Sequence, residues 1–321
     1  MYQTNDYFAY SAKIALWALA ALLPIWFVPF SIGVEFGREV TFGVLIFAGV
    51  ILWLLSVLTR GEIRFVQSPI LWAAGLMAAV FAVSAFYSAS PFVSFFLAAP
   101  VAERVSALVL GILLMILAGA VLTTDEDVGK ALELLFLTSG IAALIVFVQL
   151  VGNISLFRYL GSFAQGIDFN AVGSINGFAL FAAVVFSVGI GVVVSRSFGE
   201  WRWWKKIILV AILALLLADM FLVNFGTAWI TLLGAMIFLW GFLVKDMRGK
   251  AADMSAYPNV EMSEPNPSGR AGFGWRYALA LGLIALTLFI VIAQNPVLLL
   301  SIFRPKLRRP WAARGPLPNR F

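Results

Sequence analysis

The chain of 321 residues has no cysteine and no histidine. Without thiols there is no disulfide, no thiolate metal site and no cysteine nucleophile. Without imidazole it lacks the commonest general base and the commonest metal ligand. A Ser-His-Asp triad is excluded for the same reason. Charge is scarce too: Asp, Glu, Lys and Arg make up 12% of the residues, where a soluble domain carries about 25%. The formal net charge of +6 is partly local, because residues 305–321 hold five Lys and Arg, four Pro and no acid. No polar stretch is long enough to build a second core, so the length does not argue for two soluble domains.

What the sequence has in excess is apolar length. Hydrophobic residues make up 62% of it, and the mean hydropathy is +0.99. A helix needs about 20 mostly apolar residues to cross a bilayer. Nine stretches meet or approach that length: 12–30, 40–58, 69–86, 105–122, 131–151, 175–194, 207–223, 228–244 and 277–293. In lipid the backbone must satisfy its own hydrogen bonds, so these stretches are expected to be helices. The fold class is therefore all-α, a polytopic integral membrane bundle of about nine transmembrane helices over residues 1–294. Residues 295–321 read as the start of an extracytoplasmic loop or an aberrant basic tail. Residues 1–13 lack the basic n-region of a cleavable signal, and further spans follow.

Lys and Arg placement sets the orientation. With the N-terminus in the cytoplasm, the inner segments hold thirteen basic residues and the outer segments before the tail hold only Arg38, Arg104 and Arg158. The segment Phe198-Gly-Glu-Trp-Arg-Trp-Trp-Lys-Lys206 reads as an interfacial anchor of aromatics and bases facing anionic lipid. It is not read as a nucleic-acid site. Residues 245–276, rich in turn formers toward their middle, are expected to be a flexible cytoplasmic loop.

Chemistry is then left to the outer segments and to polar residues inside the spans. Residues 31–39 are expected to form the first outer loop, with Glu35, Arg38 and Glu39; Glu103 and Arg104 lie at the mouth of the fourth span. The third outer loop, 152–174, holds Arg158, Asp168 and Asn170. An Arg at a water–lipid boundary suits a phosphate or pyrophosphate, because its fork donates two parallel charge-assisted bonds; it equally suits helix capping or snorkelling. Asp219 lies inside the seventh span. Such a group usually faces the bundle and marks function; the plainer expectation is a shallow Asp bonded to Asn224 or Thr227. Glu133 reads as an ordinary helix-start acid. Val188-Gly-Ile-Gly-Val192 reads as close helix packing, and no metal site or cofactor motif is present.

Three segments carry a family resemblance. Gly173-Ser-Ile-Asn-Gly-Phe-Ala179, entering the sixth span, resembles the Gly-Asn/Ser-Pro-Asn-x-x-Ala signature of the O-antigen ligase and polymerase family, with Ile175 in place of Pro. Asn224-Phe-Gly-Thr-Ala-Trp-Ile230 is similar to the family's Ser-Arg-Gly-Ala-Trp segment; Ala228 and Trp229 are kept and the Arg is absent. Ser90-Pro-Phe-Val-Ser-Phe-Phe96, leading to Arg104, is similar to the family's outer loop ending in Arg. The resemblance implies a multi-pass protein of the bacterial inner membrane acting on undecaprenyl-pyrophosphate-linked glycans at its outer face, with no cofactor. It implies that Arg38, Arg104 and Arg158 contact the pyrophosphate, with Gly173, Ser174, Asn176, Ala228 and Trp229 as family-motif positions.

In the resembled family a large outer loop after the ninth span brings a catalytic His and further Arg, and three more spans follow. That loop and its His are missing here, so this form is expected to be truncated and inactive in transfer, and no catalytic residue is assigned. Read in a shifted frame, the codons of the tail permit a string similar to the family's loop, containing Trp-Ser-Ile-Thr-Lys; a frameshift near Arg304 is the corresponding expectation. Two alternatives stand beside this reading. A transporter or lipid flippase is suggested by the many spans and Asp219, although no duplicated pair of broken spans points to a transport site. The other is a non-catalytic membrane protein.

Overall fold

The computed structural model describes residues 7–27, 34–61, 69–88, 105–160, 166, 169–195, 197–256, 282–287 and 290. Among these the architecture is all-α. The helices are α1 (Tyr7–Leu22), α2 (Val34–Arg60), α3 (Pro69–Phe86), α4 (Val105–Val121), α5 (Asp125–Gly152), α6 (Ile175–Val194), α7 (Ser197–Glu200), α8 (Trp203–Val223) and α9 (Gly226–Ala256), with a 3-10 turn at Arg158–Leu160. Residues 282–287 of the expected ninth span are helical; the rest of that span, residue 290 apart, lies outside the described residues.

Five helices are long and apolar enough to cross a membrane: Val40–Arg60, Asp125–Gly152, Ile175–Val194, Trp203–Val223 and Gly226–Val244. α1, α3 and α4 are apolar but shorter. The surface has the pattern expected of a protein solvated by lipid. On α5, Leu137, Ile141, Leu144, Val148 and Val151 form an exposed stripe, while Phe136, Ser139, Ala143, Val146 and Gln149 are buried on another face. In water so long an apolar patch marks an interaction surface or an aggregation hazard.

Helix ends depart from the sequence expectation where local chemistry overrides hydropathy. α1 ends at Leu22, two residues before Pro24, because proline has no N–H and its ring disfavours the helical conformation of the residue before it. α5 starts at Asp125, six residues before the apolar run. Thr124 is its N-cap, its hydroxyl accepting from the Asp127 N–H at 3.2 Å, and three acids fill the first turn, where the helix dipole favours them. α2 begins at Val34, so Arg38 stands on a helix and not in the expected loop. α9 runs on to Ala256. The first part of the expected flexible loop 245–276 is therefore helical; residues 245–256 are mostly Ala, Lys, Arg, Met and Asp, with a single Gly at 249, and the first proline is Pro258. Residues 257–276 lie outside the described residues.

The chain forms two compact units, Met1–Phe225 and Gly226–Phe321. In the first, α1 packs on α2 and α5, α8 packs on α5 and α6, and α4 packs on α2 and α3. Small residues let the helices approach: a Cβ on Gly49 of α2 would lie 2.7 Å from Leu117 of α4, and one on Gly140 of α5 would lie 2.8 Å from Ile212 of α8.

One end of this unit is tied by charge. Lys13 of α1 donates to Asp127 of α5 at 2.6 Å, their side chains 25% and 10% exposed. The Trp17 indole N–H donates to the Asp127 carbonyl at 3.2 Å. Such a pair lies between an exposed one, worth about 0–1 kcal/mol, and a fully buried one, which costs about 3–5 kcal/mol to break. Lys13→Ala and Asp127→Ala are each expected to cost about 1–2 kcal/mol. A double-mutant cycle on detergent melting should return a favourable coupling of about 1 kcal/mol; simple additivity would show the pair to be inert.

Candidate functional site

The other end of the first unit gathers the C-termini of α1 and α5 and the N-termini of α2 and α6. Its centre is Arg38. One guanidinium nitrogen donates to the Val172 carbonyl and the other to the Leu23 carbonyl, both at 2.5 Å. The same group stacks 5.3 Å from the Phe42 ring centroid. One side chain on α2 therefore pins the end of α1 to the segment that leads into α6. The fork geometry suits this, since it places two donors on separate acceptors.

That segment is built by turn chemistry. Asn153 takes a left-handed φ of 50° after α5, its N–H donating to the Gln149 carbonyl. The Gln149 side-chain amide donates to the Phe169 carbonyl at 3.1 Å. Asn170 is buried; its Oδ1 accepts from the Val172 N–H at 2.9 Å, and its carbonyl accepts from the Gly173 N–H at 3.1 Å. Gly173 has φ +120°, a conformation that strongly favours glycine. Ser174 caps α6, its Oγ accepting from the Gly177 N–H at 3.1 Å. Gly173 and Ser174 thus have firm local roles, and Asn176 is left exposed on the first turn of α6.

Beneath the turn, Phe27, Phe157 and Phe169 stack edge to face, with centroids 5.4–5.7 Å apart. Phe27 and Phe157 border an apolar cavity of about 90 Å³ also lined by Val146, Ala171 and Phe178. Arg158 follows Phe157 directly and is exposed. It donates to the Tyr159 hydroxyl at 2.5 Å and lies 4.7 Å from that ring's centroid. Arg38, Arg158, Gly173, Ser174 and Asn176 therefore share one end of the bundle. Arg104 and Asp168 lie outside the described residues.

Asp219 is fully buried on α8, and neither carboxyl oxygen has a hydrogen-bond partner among the described residues. The expected bond to Asn224 does not form. Its level along the bundle follows from helix register. Glu133 pairs with Lys205, 72 positions apart, and Gly140 meets Ile212 at the same offset. By the same offset Asp219, one heptad beyond Ile212, is level with Phe147 of α5. Ala228 and Trp229 are buried in the first turn of α9, in the second unit.

Sequence reasoning missed Gln149 and the phenylalanine cluster. A lone amide in the last turn of an apolar run was the available signal for Gln149; the aromatics had none, since phenylalanine is common throughout the chain. No family model, curated protein or solved structure matches this chain.

Proposed function

We propose that this protein sits in a bacterial inner membrane with its N-terminus in the cytoplasm, and engages an undecaprenyl-pyrophosphate-linked glycan at the outer face in the manner of O-antigen ligases and polymerases. One observation carries the reading. Arg38 donates to the carbonyl of Val172, the residue just before the Gly173–Ala179 segment in which the resemblance is densest. A basic residue and a motif separated by 134 positions thus meet at one helix-bundle end. The exposed Arg158, the N-terminus of α6 and Asn176 offer the donors a pyrophosphate needs. Arg38, held by backbone carbonyls, acts as a positioning residue for that turn. Any transfer step needs an acid–base group other than His; the share of the reaction proposed for this chain is holding the lipid-linked donor.

The test is binding of a polyprenyl pyrophosphate to the full chain in nanodiscs. Arg158→Ala and Asn176→Ala are each expected to weaken binding about tenfold, or about 1.4 kcal/mol, with Asp219→Asn unchanged. Equal binding of the uncharged polyprenol, or unchanged affinity in both variants, removes the proposal. The rival reading, a transporter or flippase, is favoured by the buried Asp219. It gains if Asp219→Asn alone alters how the lipid is handled.

A further inference from the structure

At the Lys13 end of the first unit, the seam between α5 and α8 opens into a cavity of about 200 Å³. Phe136, Leu137, Trp201, Trp204, Ile208 and Ile212 line it, and Glu133 and Lys205, which pair with each other, lie at its edge. Leu137 and Ile208 are exposed on the lipid-facing surfaces of their helices, and Leu137 begins the apolar stripe of α5. The cavity thus adjoins the apolar surfaces of α5 and α8.

Arg202 and Lys206 adjoin the lining residues Trp201 and Lys205 in sequence. Arg202 is the N-cap of α8 but makes no side-chain capping bond, and the first turn of α8 contains no acid. The helix thus starts with uncapped N–H groups and an uncompensated positive pole. Lys206 lies over the Phe198 ring and donates to the Gly199 carbonyl at 2.9 Å. Lys205 lies over Trp204. Glu133 is taken up by Lys205, which leaves Glu200 as the other acid of this segment among the described residues.

We propose that this seam binds one anionic phospholipid. Its phosphate lies on Arg202, Lys206 and the N-terminus of α8, and one acyl chain lies between Leu137 and Ile208. Basic pockets between membrane helices recognise such headgroups, and the tryptophans supply the amphipathic collar of an interfacial site. The inference is independent of the glycan reading, which concerns the opposite end.

The experiment counts lipids retained by the full chain in native mass spectrometry, after incubation with an equal mixture of phosphatidylglycerol and phosphatidylcholine. Wild type is expected to hold one phosphatidylglycerol with roughly tenfold preference. The double variant Arg202→Gln/Lys206→Gln should lose the preference. Leu137→Trp, which fills the cavity and leaves every charge in place, should lose the bound lipid. Should that variant misfold, Ile208→Trp fills the same space from α8. Equal retention of both lipids by wild type overturns the proposal. So does a preference that survives the charge variant, retention by a folded cavity-filled variant, or displacement of the lipid by glycerol phosphate alone.

Discussion

Gly189→Leu is expected to prevent α6 and α8 from packing. A Cβ at this position already overlaps the Leu213 side chain, whose Cδ1 and Cγ lie 3.3 Å away. Leucine would add three carbons beyond that Cβ. Overpacking a well-filled core usually costs about 1–3 kcal/mol, and here even a methyl group requires the Leu213 side chain to shift. Lipid tails are as apolar as leucine, so membrane helices have little besides close packing to hold them together. The variant should lose its monodisperse peak in detergent and its cooperative melt. Gly191, two positions on, has nothing within 4 Å of its Cβ, and Gly191→Leu should behave as wild type. Leu213→Ala should partly rescue Gly189→Leu by vacating the contested volume. Normal melting of Gly189→Leu would show that the seam is loose.

The same chemistry explains what could be read in advance. α3 and α6 run over the expected residues because each is an apolar run with a clear start, Pro69 for one and the Ser174 cap for the other. Hydropathy places the start of α5 six residues late because Asp125, Glu126 and Asp127 count against a span, although Thr124 before three acids is a helix-start signature. Helix faces were harder. In a soluble protein the polar side of a helix marks its exposed side. On α8 both sides are apolar, so nothing in the order of residues distinguishes Leu213, which is buried, from Val210, which faces outward. Asp219 is visible as an oddity in a span, but its full burial depends on packing between helices that the order of residues does not reveal. At the candidate site, Arg38 could be named by its chemistry, while its partners Leu23 and Val172 are backbone carbonyls that carry no sequence signal.

That clamp yields the second large effect. Arg38→Ala removes the donor from two carbonyls, and a charge-assisted hydrogen bond is worth about 1.5–3 kcal/mol. Arg38 is half-buried, so water replaces part of what is lost, and the net cost is expected to be about 2–4 kcal/mol. A chain of this size loses about 2–4 °C of melting midpoint per kcal/mol, which places the fall at about 5–15 °C. Arg38→Lys should keep less than half of the difference, because an ammonium is a point charge and does not span both acceptors as the fork does. Where the loosening occurs separates a clamp from a general packing loss. Val172 lies in the segment that Gln149 and the phenylalanine cluster hold against α5, and Arg158 is the exposed tryptic site beside that cluster. Cleavage after Arg158 should therefore accelerate several-fold in Arg38→Ala, while cleavage after Lys206, at the far end of the unit, stays at the wild-type rate. Equal acceleration at both sites, or at neither, would refute the clamp and remove the positioning role that the glycan reading gives to Arg38.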